Sequence, residues 1–179
     1  MVSRRQLLSA ASAAGAGALL AACGTTPVAT GLSGAGLQSD VRTLNRLIEV
    51  EYHAVAAYVA AIPLLSGTDA LYAKQFLAQE ISHIEDLSAF VRRTHTKPAA
   101  SGQVYNLGRP RGRTELLALL HHVEQVTLRA YLEAIPVLTP GVVKATAASI
   151  LANDAQHASL IRGLLGLAPV PEPVVTGSA

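Results

Sequence analysis

The sequence has few of the residues that most often supply cross-links or covalent catalysis. Its 179 residues include one cysteine, one methionine and no tryptophan. A single cysteine excludes an internal disulfide, and it leaves no set of thiolates that could hold zinc. The 14 basic and 12 acidic residues are close to balance. The chain therefore lacks the excess of basic residues that is typical of a nucleic-acid-binding surface.

The first residues follow the order of an export signal. The pair Arg4 and Arg5 precedes an apolar stretch that runs up to Cys23. This order is typical of a secretory signal, and paired arginines are typical of the twin-arginine route. The residues that end at Cys23 resemble a bacterial lipobox, which implies lipidation of this cysteine. The alternative is a transmembrane anchor, although the apolar stretch is shorter than the ~18–20 residues needed to span a bilayer.

These features predict the domain organisation and the location of the protein. We expect residues 1–22 to be the twin-arginine and lipoprotein signal, and residues 23–39 to form a flexible tether rich in Gly and Thr. Residues 40–167 are predicted to be one folded domain that begins with Asp40 as a helix cap. The Pro-rich residues 168–179 are predicted to be an extended or disordered tail. The mature protein would then be an exported lipoprotein of the bacterial cell envelope, on the periplasmic side or at the cell surface.

The spacing of apolar residues predicts four helices. Alternating steps of three and four, which mark the seam of packed helices, run through residues 44–62, 73–90, 117–135 and 143–164. Short turns separate the first two helices and the last two. The Gly- and Pro-rich segment 96–112 can reach over ~50 Å, whereas the first helix would be only ~35 Å long. The prediction is an all-α four-helix bundle made of two antiparallel hairpins that a long crossover joins.

The two predicted hairpins repeat one pattern. EYHAVAAYVAAIPLL from Glu51 aligns with EQVTLRAYLEAIPVL from Glu124, and LAQEISH aligns with LANDAQH, which indicates an internal duplication. The polar residues that recur are the pairs Glu51/Glu124, Glu80/Asp154, His83/His157 and Tyr58/Tyr131. The polar residues without a counterpart are assigned to solvated faces or helix ends. They are Glu49, His53, Glu85, Asp86, His121, His122 and Glu133.

The recurring acidic and histidine residues predict a metal site. Four carboxylates on core-facing seams would cost several kcal/mol each if they were buried without compensation. Two divalent cations would neutralise them, and two neutral imidazoles would complete the coordination. Glu80 and His83 lie three residues apart on one helix face, as Asp154 and His157 do, so each pair could bind one ion. One Glu from each of two helices and Glu-x-x-His from each of the others is the pattern of di-iron carboxylate bundles.

With these motifs the chain resembles the ferritin-like superfamily, in particular bacterial ferritin-like domain proteins with twin-arginine signals. It is also similar to desiccation-related proteins. The resemblance covers roughly residues 44–165 and implies a ferritin-like bundle. The metal ligands that it implies are Glu51, Glu80, His83, Glu124, Asp154 and His157.

The resemblance leaves several details of the site open. Analogy suggests that Glu80 and Glu124 bridge the two ions, whereas the repeat symmetry suggests Glu80 and Asp154. Asp154 departs from the Glu that the family has at this position, and its shorter side chain leaves the occupancy of a second ion open. Tyr58 and Tyr131 are candidates for hydrogen bonds to the ligands, with core packing as the alternative.

The expected function is that of a di-metal carboxylate protein. Mixed carboxylate and imidazole ligands suit iron or manganese, and the resemblance implies oxidation of Fe(II) or reaction with O₂ or peroxide. The partners would be these ions and oxidants, and the membrane through the lipid; oligomerisation stays open, and a lipid on every chain disfavours a closed storage shell. The alternative is a structural or stress-protective lipoprotein without metal, in which the polar residues would form a closed hydrogen-bond network.

Overall fold

The computed structural model describes residues 34–178. The predicted signal, the lipidation site Cys23 and residues 24–33 of the predicted tether lie outside this range. The described residues form four α-helices and no β-strand: α1 (Gly34–Ala61), α2 (Gly67–Arg93), α3 (Gly112–Val137) and α4 (Gly141–Leu164). A 3₁₀ turn at Ile62–Leu64 follows α1. The all-α four-helix bundle that the sequence predicts is confirmed.

The first helix begins earlier than the sequence suggested. It starts at Gly34, so the last residues of the predicted tether are helical and Asp40 does not cap the helix. The segment 34–39 contains no proline, so nothing in it stops the helix from extending. Asp40 is buried inside α1, and its carboxylate accepts a 3.0 Å hydrogen bond from the backbone N–H of Thr139. This aspartate therefore joins α1 to the turn between α3 and α4.

The connection between the hairpins runs along the length of the bundle. Arg113 at the start of α3 binds Asp69 at the start of α2 through two nitrogens, at 2.5 Å and 3.0 Å. Both helices therefore start at the same end of the bundle, and the segment 94–111 returns from the far end of α2. On the way, the backbone N–H of Ala99 donates to the side chain of Asn45 on α1, at 2.7 Å.

The Pro-rich tail lies against the bundle rather than free of it. The guanidinium of Arg129 on α3 donates to the carbonyl of Gly177 at 2.6 Å, and Arg162 on α4 donates to the carbonyl of Ala168 at 2.8 Å. Gly177 has a φ of 68° and sits so close to Arg129 that a Cβ atom would lie 2.8 Å from its backbone nitrogen. Arginine side chains of the bundle thus hold the tail by its own backbone carbonyls. The composition of the tail alone does not reveal these contacts.

The apolar core is divided into two clusters. One contains Leu47, Leu87 and Ile150, and the other contains Phe76 and Leu117. The six recurring acidic and histidine residues lie in a layer between the two clusters, at mid-height of the bundle. One described helix, over residues 36–64, is long and apolar enough to cross a membrane by length and composition, as the core helices of bundles often are.

Candidate metal centre

The structure brings all six recurring acidic and histidine residues together. The four carboxylates are fully buried, and the side chains of His83 and His157 are 9% and 1% exposed. Each helix contributes through the face that its apolar seam turns inward. The contributions are Glu51 from α1, Glu80 and His83 from α2, Glu124 from α3, and Asp154 and His157 from α4.

Each histidine turns its Nδ1 atom toward the carboxylates. His157 Nδ1 lies 3.0 Å from Glu80 and 3.4 Å from Glu124. His83 Nδ1 lies 3.4 Å from Asp154 and 3.7 Å from Glu51. The two rings are nearly parallel, with centroids 6.5 Å apart. The imidazoles therefore serve two neighbouring sets of carboxylates.

Glu80 and Asp154 face both histidines. Glu80 is also 3.8 Å from His83, and Asp154 is also 4.0 Å from His157. Glu51 and Glu124, by contrast, each come within 4.0 Å of one imidazole only. Glu80 and Asp154 are therefore the two carboxylates that lie near both imidazoles.

The donor atoms divide into two groups that are compact enough to hold one ion each. In both groups the donor atoms lie within 4.8 Å of one another. The larger group consists of Glu80, Glu124, Asp154 and His157, and the smaller group of Glu51, His83 and Asp154. The short side chain of Asp154 reaches both groups.

The two tyrosines of the repeat hydrogen-bond to carboxylates of the opposite hairpin. Tyr131 on α3 donates to Glu51 on α1 at 2.5 Å, and Tyr58 on α1 donates to Glu124 on α3. Both phenols are fully buried. Their role thus includes orienting one oxygen of each carboxylate in addition to filling core volume.

Two amide side chains hold the outer nitrogens of the histidines, and sequence reasoning missed both. The Nε2 atom of His157 lies 2.7 Å from the side-chain oxygen of Gln79, and that of His83 lies 3.1 Å from the side-chain oxygen of Asn153. Gln79 and Asn153 occupy the same position of the repeat, directly before Glu80 and Asp154. Their recurrence in the two aligned hairpins is the sequence signal that could have identified them. An amide oxygen accepts only, so each histidine donates Nε2–H and presents Nδ1 to the centre.

Several buried polar atoms of the cluster have no hydrogen-bond partner among the described residues. Most buried polar groups in proteins are satisfied, so a concentration of exceptions in one place indicates a missing ligand. All of the following point into the same layer: Glu51 Oε2, Glu80 Oε2, His83 Nδ1, Glu124 Oε2 and both oxygens of Asp154. The donor set is hard oxygen with imidazole nitrogen, which fits iron or manganese.

The electrostatics of the metal-free cluster are consistent with a site built for cations. Burial raises the pKa of Glu51 to about 8 and that of Glu124 to about 7, and it raises the pKa of Asp154 well above its usual value. Burial also disfavours ionised Glu80, but its contacts with both histidines outweigh this and lower its pKa to about 2. Without metal, bound protons therefore neutralise part of the carboxylate charge that cations would otherwise neutralise.

The histidines show the complementary shift. Burial acts to lower the pKa of each imidazole, but contacts with carboxylates outweigh it. Those with Glu51 and Glu80 raise the pKa of His83 to about 10, and those with Glu124 and Glu80 raise that of His157 to about 9. Both rings are therefore protonated in the metal-free protein near neutral pH.

The polar residues without a repeat counterpart belong to neither donor group. Glu133 pairs with Arg46 at the surface at 3.5 Å, and His53 stacks on Tyr105. His121, which lies one turn from Glu124, is buried, but it bonds to Gln125 at 3.2 Å instead of joining the cluster. Recurrence in both hairpins therefore distinguished the six clustered residues from the polar residues that occur in one hairpin only.

A bundle of this topology with acidic and histidine residues at its centre defines a ferritin-like protein. The ferritin-like domain family matches residues 39–167, and the chain belongs to this family. Comparison with curated proteins gives no match.

Solved structures support the same fold. The chain is similar to ferritin-like, diiron-carboxylate proteins from Bacillus anthracis, with a TM-score of 0.66 at 16% identity over 75% of this chain and 99% of that one. It is also similar to a conserved hypothetical protein from Mycobacterium tuberculosis, with a TM-score of 0.65 at 15% identity over 75% of this chain and 100% of that one. The predicted membership of the ferritin-like superfamily is confirmed.

Proposed function

We propose that the protein binds two iron or manganese ions and uses them in redox chemistry. The observation that carries this proposal is the set of buried, unpartnered oxygen and nitrogen atoms that converge between the two apolar clusters. The similarity to a protein described as diiron-carboxylate agrees with it. The proposed ligands are Glu51, Glu80, His83, Glu124, Asp154 and His157.

The charges of this set balance two divalent ions. Four carboxylates carry four negative charges, and neutral histidines add none, so two divalent cations leave the buried layer neutral. Gln79 and Asn153 support the neutral state, since an amide oxygen fixes the Nε2–H tautomer without adding a charge. Glu80 and Asp154 would be the carboxylates available to both ions, because each lies near both histidines.

When bound, a pair of such ions supplies two-electron chemistry toward O₂ or peroxide. In the simplest reaction class Fe(II) is the substrate: two Fe(II) ions lose one electron each, and one peroxide takes up these electrons with two protons to give two waters. The protein's part is to hold the donor atoms in place and to exclude bulk solvent. Tyr58 and Tyr131 orient the carboxylates of Glu124 and Glu51. Phe76 stacks on His157, with ring centroids 4.1 Å apart.

We further propose that this chemistry takes place in the cell envelope. The support is the sequence alone, namely the arginine pair, the apolar stretch and the lipobox-like residues that end at Cys23. In this proposal the lipid on Cys23 holds the bundle at the membrane through the residues that precede α1.

A metal-free structural role has less support. That reading requires the buried polar residues to form a closed hydrogen-bond network, because open polar groups in a core are costly. The cluster instead leaves unpartnered atoms on Glu51, Glu80, Glu124 and Asp154.

The test is the metal content of the purified protein, which is prepared without chelator and measured by elemental analysis. We expect about two iron or manganese ions per chain, and loss of both in a His83→Ala, His157→Ala variant. The matched control is a His53→Ala, His122→Ala variant, which removes two histidines outside the cluster and should keep the metal. A wild-type protein that stays empty after anaerobic addition of Fe(II) and Mn(II) would contradict the proposal.

A further inference from the structure

The side of the cluster that faces α1 and α3 is shielded from solvent, whereas solvent comes close to it between α2 and α4. On the first side the carboxylates of Glu51 and Glu124 are covered by Tyr131 and Tyr58, and all four residues are fully buried. On the other side a groove of about 500 Å³ lies between α2 and α4, and His83 lines it. His83 is also the most exposed member of the cluster. The solvent therefore comes nearest to the centre at this histidine.

The walls of the groove combine small and polar side chains with the apolar Val142 and Ile150. Ser82 on α2 faces Ala145 and Ser149 on α4 across the groove. Because these side chains are small, they leave open a space that larger side chains would fill. Both amides that hold the histidines, Gln79 and Asn153, also line the groove. The floor of the groove therefore lies at the polar side chains that surround His83.

The groove has one acidic side chain at its mouth and the imidazole of His83 at its floor. Asp86, one turn after His83 on α2, is among its lining residues, and no lysine or arginine is. Two other cavities, one of about 540 Å³ under the tail and one of about 80 Å³ between α1 and α3, include none of the six clustered residues in their walls. Among these three cavities, the groove between α2 and α4 is the one that reaches the cluster.

We propose that divalent cations reach the centre through this groove, with Asp86 attracting them at its mouth and His83 as the gate at its floor. The inference rests on the proposed function, because it assigns the route to the metal centre proposed above. The smaller donor group, with Glu51, His83 and Asp154, is then filled from the groove, and the group around His157 lies behind it.

The first test blocks the groove. A Ser149→Trp variant places an indole across the passage, and Ala148→Trp is its matched control, since Ala148 is exposed on the same helix and does not line the groove. Binding of Co(II) alone is followed by its visible absorbance in a stopped-flow instrument. We expect at least about tenfold slower loading and slower release to chelator in Ser149→Trp, with the final number of ions per chain unchanged. A Ser82→Trp variant blocks the groove from the opposite wall if Ser149→Trp does not fold.

The second test removes the charge at the mouth. An Asp86→Asn variant should load about three- to tenfold more slowly at low ionic strength, and the difference should shrink at about 1 M salt, where the screening length is only about 3 Å. Glu85→Gln is the matched control, because Glu85 is the neighbouring exposed acid and does not line the groove. It should load at the wild-type rate.

The outcomes separate this inference from the function on which it rests. Equal loading rates in wild type, Ser149→Trp and Ala148→Trp would overturn the route while leaving the metal centre intact. A lower final metal content in Ser149→Trp at an unchanged rate would also overturn it, because the groove would then be part of the site and not its access. A wild-type protein that binds neither Co(II), Fe(II) nor Mn(II) would overturn the proposed function and the route together.

Discussion

The two hairpins of the bundle contribute the same set of groups to the centre, and each completes the other. The tyrosine of one hairpin hydrogen-bonds to the glutamate of the other, as Tyr58 does to Glu124 and Tyr131 does to Glu51. The amides follow the same rule, since Gln79 binds His157 and Asn153 binds the histidine of the first hairpin. Neither hairpin therefore holds the complete cluster, which forms only when the two halves pack together.

The halves differ at the points where the centre meets solvent. The first hairpin has Glu80 and a histidine that lines the groove, whereas the second has the shorter Asp154 and a histidine that is almost completely buried. A duplicated site can thus keep its donor set while its two positions come to differ in access. The predictions below test how far the halves are equivalent.

The largest effect should come from the ions that connect the two halves. Each ion stabilises the folded protein by about 2.7 kcal/mol at a free concentration one hundred times its dissociation constant. For two ions we expect a rise in melting temperature of roughly 10–20 °C. Differential scanning calorimetry of metal-free and Mn(II)-loaded protein measures it, and the His83→Ala, His157→Ala variant should show no rise.

The size of this rise should depend on pH. In the metal-free fold the pKa of Glu51 is raised to about 8 and that of Glu124 to about 7, so both contribute stability at low pH that is lost as the pH rises through these values. The raised pKa values of the histidines act in the same direction. Metal binding releases these protons, so the rise in melting temperature should grow from pH 6 to pH 9. A rise that is constant over this range would contradict the protonated cluster.

A smaller effect should separate the two histidines. In metal-free protein, His157→Ala should lower the free energy of unfolding by about 2–4 kcal/mol, because it opens a cavity beside Phe76 and leaves buried carboxylates without their cation. His83→Ala should lower it by about 1–2 kcal/mol, because solvent in the groove can replace the ring. Urea unfolding measures both, with exposed His122→Ala as the control. Equal losses would mean that the two positions do not differ in access.

The smallest effect concerns the tyrosines, for which the halves should be equivalent. Tyr58→Phe and Tyr131→Phe each remove one buried hydrogen bond to a carboxylate, so each should cost about 1–2 kcal/mol in urea unfolding. Tyr72→Phe, which changes a half-buried phenol outside the centre, should cost less. A difference of more than about 1 kcal/mol between the first two variants would contradict the reciprocal pairing.

Much of the fold and of the cluster could be predicted because the duplication allows equivalent positions of the two hairpins to be compared. Apolar spacing located four helices, and recurrence in both halves distinguished His83 and His157 from His121, although His121 is buried as well. Gln79 and Asn153 recur too, but amides are common on helix surfaces, and only the three-dimensional contact to an imidazole gives them a role.

The features that the sequence did not predict depend on contacts that are distant in the chain. Asp40, which the sequence suggested as a helix cap, instead lies inside α1 and accepts a hydrogen bond from the backbone of Thr139 at the far turn. The packed tail depends on Arg129 and Arg162, whose donors meet backbone carbonyls. A backbone carbonyl leaves no mark in the sequence, so such partners become visible only in the structure.

The segment 94–111 has a further consequence for how the protein assembles. It holds two self-complementary halves within reach of each other, which turns the meeting of half-sites into an intramolecular event with an effective concentration on the order of millimolar. The linker therefore makes assembly of the cluster an event within one chain, although it contributes none of the six clustered residues.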